Sequence, residues 1–191
     1  MEDAFLTALK SAKSYGLGEF LEIIGELSQE STKKGAIGRQ TKELITYGIA
    51  LSKRCRRCIK IHEKAARQLG AKDADLEQVR LVYLFIKASP EDDKELWRSW
   101  KQSWLSFVLG RHALGHYEIE LIALGIALVR QSERHIKLHA RGALEYGASK
   151  AQVFEVMPLA LLMDGAPALS QIPRLVKVIE SSKTKSDENA S

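Results

Sequence analysis

The 191-residue sequence contains only two cysteines, four prolines and three methionines. Two cysteines cannot build the dense disulfide framework of a small secreted domain. No stretch is both long enough and apolar enough to cross a bilayer, and the acidic start Met1-Glu2-Asp3 differs from the basic start of a signal peptide. We therefore expect a cytoplasmic protein without a membrane partner. A reducing compartment favours catalytic, redox-active or metal-binding cysteines over structural ones.

The sequence also lacks any long segment in which polar and apolar residues alternate, which argues against an extensive sheet. Apolar residues instead recur at helical spacing. The pattern predicts an all-α fold with helices at about 3–30 (divided at Gly16 and Gly18), 39–51, 54–69, 73–88 and 91–110. Three tryptophans form one stripe of the last helix, and we expect them in the core or in a subunit interface rather than in a ligand platform: Trp97, Trp100 and Trp104.

Charge of one sign is not concentrated over long stretches, although the net charge is +5. Acids and bases are interspersed, and no recognised nucleic-acid-binding module or long basic face is present, so we expect no nucleic-acid partner. One cluster of cations surrounds the cysteines: Lys53, Arg54, Arg56, Arg57 and Lys60. A cluster of this kind either solvates a helix end or lowers the pKa of a nearby thiol. We predict that Arg56 and Arg57 stabilise an anion or a thiolate.

The two cysteines stand three residues apart, at Cys55 and Cys58, and His62 follows one helical turn after Cys58. On a helix, these three side chains lie along nearly the same stripe. They bring two sulfurs together with a group that exchanges protons near neutral pH. Two thiols and an imidazole, with Glu43 nearby, are also zinc ligands. A zinc-binding pair of cysteines usually sits on a turn and is joined by a second ligand pair, which does not follow here at the spacing of a zinc finger.

The sequence repeats itself after 77 residues, and the alignment needs no gap. The matched positions are Glu43 with Glu120, Gly48-Ile49-Ala50-Leu51 with Gly125-Ile126-Ala127-Leu128, His62 with His139, Gly70-Ala71 with Gly147-Ala148, and Pro90 with Pro167. We therefore predict two copies of one helical unit that pack as a pseudo-two-fold pair. The predicted divisions are a first copy at residues 1–90, a second copy at residues 91–180 and a disordered tail at residues 181–191.

The second copy has lost both thiols, since Ser132 stands at the position of Cys55 and His135 at that of Cys58. His135 and His139 lie one turn apart beside Glu120, which resembles a helical metal pair. The alternative, which we favour, is a vestigial site whose histidines are satisfied by hydrogen bonds. We therefore predict no metal and no cofactor.

The pattern Glu-x11-Cys-x2-Cys-x3-His, followed by Ala-x3-Gly-Ala, closely resembles the AhpD-like, carboxymuconolactone decarboxylase superfamily. In this chain it reads Glu43, Cys55, Cys58, His62, Ala66, Gly70 and Ala71, and the segment Met-Asp-Gly-Ala-Pro-Ala at 163–168 is similar to a helix-connecting segment of that superfamily. The resemblance covers residues 36–90 and 113–178. It implies an all-α, AhpD-like helical bundle, an oligomer built on trimeric symmetry, and peroxidase chemistry at the cysteines.

The resemblance further implies that Cys58 attacks the peroxide, that Cys55 resolves the product, and that Glu43 and His62 relay protons. The chain departs from the AhpD pattern at Arg57, where that pattern has a histidine. The retained cysteines favour the redox branch of the superfamily, because the decarboxylase branch needs no thiol.

The residues themselves leave open which sulfur attacks first. The thiolate is the nucleophile, and the exposed, positive end of a helix favours Cys55, whereas proximity to His62 favours Cys58. We assign the attack to Cys58, because the proton acceptor decides which thiol ionises. The prediction is a thiol-dependent (alkyl) hydroperoxide reductase, or disulfide oxidoreductase, that acts on a peroxide. It would use a lipoyl- or thioredoxin-like dithiol reductant and assemble as a homo-oligomer, a trimer of two-copy chains.

Two other functions fit the same residues. A lyase of the carboxymuconolactone decarboxylase type would use Glu43 and His62 and would keep its activity after loss of both thiols. A non-enzymatic, oligomeric scaffold would sense peroxide through its disulfide without turnover.

Overall fold

The computed structural model of the chain describes residues 4–182. Within that range the chain forms twelve α-helices and contains no strand, and a short π-helical segment between the first two helices is kinked at Tyr15 and Gly16, where Gly16 has φ of 91°. The elements are α1 (Ala4–Ala12), the π-helical segment (Lys13–Leu17), α2 (Gly18–Thr32), α3 (Arg39–Lys53), α4 (Arg56–Gln68), α5 (Asp73–Lys87), α6 (Lys94–Val108), α7 (His116–Val129), α8 (Glu133–Glu145), α9 (Lys150–Phe154), α10 (Val156–Asp164), α11 (Ala166–Leu169) and α12 (Ile172–Ser181). The predicted all-α fold is confirmed.

The helix boundaries differ from the predicted ones where a cap decides them. Arg54 adopts a left-handed conformation with φ of 54°, so that α4 begins at Arg56 and not at Arg54. The carboxylate of Asp93 accepts hydrogen bonds from the backbone N–H groups of Glu95 and Leu96, and it starts α6 at Lys94. Helix α12 ends at Ser181, the first residue of the predicted tail, and residues 183–191 lie outside the described part. No helix of residues 4–182 is long and apolar enough to cross a membrane.

The internal repeat is visible in the backbone. Helices α3, α4 and α5 begin at 39, 56 and 73, and α7, α8 and α9 begin 77 residues later, at 116, 133 and 150. The connections repeat as well, because Arg54 and Gln131 have φ of 54° and 56°, and Gly70 and Gly147 have φ of 101° and 98°. The two copies therefore share both their helices and their turns.

Helices α3 and α7 form the centre of the molecule and pack against each other reciprocally. A Cβ atom on Gly48 would lie 3.1 Å from Cγ2 of Ile122, and one on Gly125 would lie 2.8 Å from Cγ2 of Ile45. Each contact is the other displaced by the repeat, as expected for the predicted pseudo-two-fold pair. The two glycines allow the helices to approach closely over a core in which Ile45 and Ile122 are fully buried.

The two copies differ at Glu155, which ends α9 and divides the helix that is continuous as α5 in the first copy. Its carboxylate accepts hydrogen bonds from the backbone N–H of Ile37, at 2.5 Å, and from Nζ of the buried Lys42, at 2.9 Å. Lys42 also donates to the carbonyl oxygens of Ser31, at 3.0 Å, and Lys33, at 2.6 Å. This cluster ties the second copy to the connection between α2 and α3.

Candidate active site

Cys55 lies at the corner between α3 and α4, where it is the N-cap of α4. Its extended backbone (φ −81°, ψ 93°) ends the turn, and its Sγ accepts a hydrogen bond from the backbone N–H of Cys58 at 3.3 Å. The same corner recurs in the second copy, where Oγ of Ser132 accepts from the backbone N–H of His135 at 3.4 Å. Serine is a preferred N-cap residue, so the second copy keeps the corner without the thiol.

The structure joins the four predicted residues of the first copy in two pairs. Cys55 and Cys58 form a disulfide with a Cα–Cα distance of 5.3 Å, and both residues are half-buried. His62 lies one turn beyond Cys58 on α4, and its Nδ1 is 2.8 Å from Oε2 of Glu43 on α3. The Glu43 contact directs Nε2, the other ring nitrogen, away from Glu43 and leaves it to exchange a proton with another group. The α3–α4 unit therefore holds a disulfide at its corner and, one turn further along α4, an imidazole oriented by a carboxylate of α3.

The predicted cationic residues are exposed, and one of them has an aromatic contact. Arg56 and Arg57 both reach solvent, and the guanidinium carbon of Arg57 lies 3.9 Å from the centre of the Phe5 ring of α1. Lys53 is ion-paired with Asp164 at the end of α10, so that the second copy also contacts this corner. The role of Arg56 and Arg57 in stabilising a thiolate stays a prediction.

The equivalent residues of the second copy form a buried chain of hydrogen bonds. Nδ1 of His139 lies 2.7 Å from Oε2 of Glu120, and Nε2 of His139 lies 3.0 Å from Nδ1 of His135. Nε2 of His135 lies 2.8 Å from Oγ of Ser89, and Nε1–H of Trp104 donates to Oε1 of Glu120 at 3.0 Å. Both imidazoles are therefore satisfied by protein groups, as the vestigial interpretation requires, and that interpretation stays a prediction. Within residues 4–182, no three His, Cys, Asp or Glu residues are arranged to hold a metal ion.

The protonation of this chain follows from its burial. Burial raises the pKa of Glu120 to about 8, against the opposing hydrogen bond from Trp104. Burial lowers the pKa of His139 to about 3, and burial together with the neighbouring His139 lowers that of His135 to about 3. At neutral pH the carboxyl is therefore protonated and both rings are neutral.

With this assignment, every proton that is shared between Glu120, His139, His135 and Ser89 has an acceptor. The Glu120 carboxyl donates to Nδ1 of His139, Nε2–H of His139 donates to Nδ1 of His135, and Nε2–H of His135 donates to Oγ of Ser89. Ser89 then donates to the carbonyl oxygen of Ile86 at 2.7 Å. With an ionised Glu120 the direction of every hydrogen bond would reverse. The single hydroxyl proton of Ser89 would then have to be donated both to the carbonyl oxygen of Ile86 and to Nε2 of His135.

The tryptophan stripe of α6 closes the second site. The rings of Trp97 and Trp100 each lie 4.9 Å, centre to centre, from the ring of His135, and the ring of Trp104 lies 4.8 Å from that of His139. Trp100 and Trp104 are buried, which confirms the predicted core position for these two, and the half-buried Trp97 packs beside them.

The first copy is not closed in this way. The repeat places Phe20, Ile23 and Leu27 of α2 at the positions of the three tryptophans. Phe20 is 64% exposed and Ile23 is 59% exposed. The thiol site is thus the more exposed member of the pair, since Cys55, Cys58 and His62 are half-buried whereas His135 and His139 are fully buried.

Sequence reasoning missed three residues of the second site: Ser89, Glu91 and Gly142. Oγ of Ser132 donates to the carboxylate of Glu91, which also pairs with Arg130 at 3.1 Å. A Cβ atom on Gly142 would lie 2.7 Å from Cδ of Glu120, so that glycine makes room for the buried carboxyl. The sequence repeat contains one signal for the role of Gly142, because the equivalent residue of the first copy is Ala65, which has a Cβ atom. Ser89 and Glu91 belong to the connection after α5 and have no pattern that points to the site.

Comparison with known proteins identifies one family. The model described as carboxymuconolactone decarboxylase family matches the chain twice, at residues 18–93 and 95–177. The two matches correspond to the tandem duplication, since each begins at the helix that precedes a repeat, α2 or α6. Searches of curated proteins and of solved structures found no match.

Proposed function

The chain belongs to the carboxymuconolactone decarboxylase family, and from this premise we propose that it is a thiol-dependent hydroperoxide reductase that works at Cys55 and Cys58. The observation that carries the proposal is the disulfide between these residues on the helix that also presents a histidine paired with Glu43. A helix with a purely structural role would need neither the pair of cysteines nor a histidine oriented by a carboxylate.

The reaction begins from the reduced pair. The thiolate of Cys58 attacks one oxygen of the peroxide ROOH, the O–O bond breaks, and ROH leaves with a proton while Cys58 becomes a sulfenic acid. The thiol of Cys55 then attacks the sulfur of Cys58, which forms the disulfide and releases water. An external dithiol of the lipoyl or thioredoxin type reduces the disulfide and becomes oxidised itself. The sum is one peroxide and one dithiol converted to an alcohol, water and a cyclic or protein disulfide.

His62 and Glu43 move and hold protons in this scheme. His62 accepts the proton of Cys58 through Nε2 before the attack and returns it to the leaving alkoxide. Glu43 holds Nδ1 at 2.8 Å, which fixes the tautomer and the orientation of the ring. Cys55, at the N-cap of α4, lies where backbone N–H groups stabilise a thiolate when the disulfide is opened by the reductant.

A kinetic assay tests the proposal. The oxidised protein, an alkyl hydroperoxide and a dithiol such as dihydrolipoamide should together consume peroxide, and Cys58→Ser should abolish turnover. His62→Gln should lower kcat/KM by roughly 100-fold, the usual contribution of a general base. His116→Gln, a change of the same kind at an exposed histidine, should leave the rate unchanged. Full turnover by Cys58→Ser would refute the proposal.

A lyase activity is the second candidate, and the name of the family together with one contact favours it. The hydrogen bond between Glu43 and His62 does not involve either sulfur, so this pair retains its acid–base capacity in a thiol-free protein. The double variant Cys55→Ser/Cys58→Ser separates the two functions. If the chain is a reductase, the double variant should be inactive. If the chain is a lyase, the double variant should keep its full activity.

The exposed apolar face of α2 supports the proposed homo-oligomer. Phe20, Ile23 and Ile24 are 64%, 59% and 53% exposed and together form an apolar patch on the surface of α2. We propose that this face lies against another subunit in a trimer of two-copy chains. Light scattering on the purified protein should give three chains, and Ile23→Lys should yield a smaller species.

A further inference from the structure

The second copy contains a cavity of about 360 Å³ on the outer side of its buried histidine pair. Residues of α6 and α8 form its walls, and Glu120 of α7 forms its floor. The lining residues that matter for charge and shape are Trp97, Lys101, Glu120, Arg134, Lys137 and Arg141, with Tyr146 at one end. The size is within the range of small-molecule sites, which usually have about 300–1,000 Å³.

The cavity has an excess of positive charge. Arg134, Lys137 and Arg141 occupy one face of α8, and Lys101 faces them from α6. Among residues 4–182 none of these four cations forms an ion pair with a carboxylate within 4.0 Å. Like charges on one helix face repel each other, and a bound anion would offset that repulsion.

The acidic groups at the cavity do not balance these cations. Glu120 is buried, and burial raises its pKa to about 8, so it is neutral at physiological pH. Glu145 adds one negative charge at the exposed rim. Four cations therefore face one carboxylate and a neutral floor.

The remaining lining is mostly apolar and includes two aromatic rings. The ring of Trp97 is half-buried and carries the guanidinium of Arg134 5.6 Å above its centre, and Tyr146, Leu105 and Leu138 complete the surface. Arginine presents a planar fork of N–H donors that matches a carboxylate. The combination fits a ligand with a flat apolar body and one or two carboxylates.

The first copy lacks part of this arrangement. Its α4 carries cations at the equivalent positions, Arg57, Lys60 and Lys64, but the position of Lys101 is Ile24 and that of Trp97 is Phe20. Arg57 packs there against the ring of Phe5. The opposed cation and the tryptophan wall belong to the second copy alone.

We propose that this cavity binds a small aromatic carboxylate, held by Arg134 and Arg141 beside the stacked Arg134–Trp97 pair. The site is separate from the thiol centre and does not depend on the proposed peroxidase reaction. It gives the thiol-free copy a function of its own, as a binding site rather than a remnant.

Tryptophan fluorescence provides a direct test, because all three tryptophans of the chain lie on α6 and Trp97 lines the cavity. Phthalate, titrated into the purified full chain, should change the emission saturably. Benzyl alcohol, which has the ring without the charge, and inorganic phosphate, which has the charge without the ring, should not. Equal binding of phosphate would show an unspecific anion patch and would overturn the proposal, as would the absence of saturation.

Variants locate the site. Arg134→Gln/Arg141→Gln should raise the dissociation constant by about tenfold or more, the effect of losing charge-assisted hydrogen bonds. Lys94→Gln/Arg98→Gln removes the same charge from exposed positions of α6 outside the cavity and should change it less than about twofold. Circular dichroism checks the fold, and the single variant Lys137→Gln replaces the double variant if that one unfolds. An equal loss in the cavity and control variants would refute the location.

Discussion

Replacement of Glu120 by glutamine should change how stability depends on pH, without removing a hydrogen bond. In Glu120→Gln, the amide oxygen still accepts from Nε1–H of Trp104, and the amide nitrogen donates to Nδ1 of His139 as the protonated carboxyl does. The variant therefore mimics the neutral form of Glu120 at every pH. Any difference from the parent protein reports the ionisation of that one group.

The size of the effect follows from linkage. The pKa of Glu120 rises from 4.5 in the unfolded chain to about 8 in the fold, so unfolding releases one proton between these values and stability falls as pH increases. The two histidines act in the opposite direction, because their pKa values fall from 6.5 to about 3 and unfolding takes up two protons in that window. From pH 4.5 to 6.5 the balance is a net uptake of one proton, and stability rises.

Above pH 6.5 only the carboxyl contributes. The parent protein should lose roughly 1 kcal/mol per pH unit up to about pH 8, or about 1.5 kcal/mol in all, with a maximum near pH 6.5. Glu120→Gln should lack this decline. The other three histidines and the exposed acids are present in both proteins, so they cancel in the difference.

Urea unfolding followed by far-ultraviolet circular dichroism, with the disulfide kept oxidised, measures the two profiles. Glu145→Gln, which removes an exposed carboxylate from the rim of the same cavity, is the matched control and should retain the profile of the parent. Parallel profiles for the parent protein and Glu120→Gln above pH 6.5 would refute the assignment of a protonated Glu120.

Further predictions concern packing and one buried ion pair. Gly125→Ala should lower the free energy of unfolding by about 1–3 kcal/mol, because its Cβ would meet Cγ2 of Ile45 at 2.8 Å. Gly25→Ala, on an open face of α2, should instead raise it by about 0.5–1 kcal/mol, and denaturant unfolding that ranks the two the other way would contradict the packing of α3 on α7. Lys42→Met leaves the carboxylate of Glu155 without its cation and should cost about 3 kcal/mol, whereas an unchanged unfolding midpoint would show that the pair is unimportant.

The sequence was sufficient for the fold class, the duplication and the thiol cluster. Helical periodicity and the 77-residue repeat depend on local spacing, which the chain displays directly. The contact between Glu43 and His62 was expected from the resemblance to the AhpD-like superfamily, whose motif contains both residues.

The closed state of the second site could not be derived in this way. The tryptophan stripe predicted burial, but spacing does not tell which side chains a stripe covers. Ser89 and Glu91 reach the site from the connection after α5, and only the tertiary packing brings them to His135 and Ser132. The cavity between α6 and α8 likewise depends on how two helices from different parts of the chain lie against each other.

The most direct test of the central claim identifies the sulfur that reacts with peroxide. Reduced Cys55→Ser protein, treated with an equimolar alkyl hydroperoxide and a sulfenic-acid trap, should carry the adduct on Cys58 by mass spectrometry, and the parent protein should give the Cys55–Cys58 disulfide instead. Cys58→Ser should remain unmodified at Cys55 over the same time. An adduct on Cys55 with an unmodified Cys58, or no reaction of either sulfur, would contradict the account.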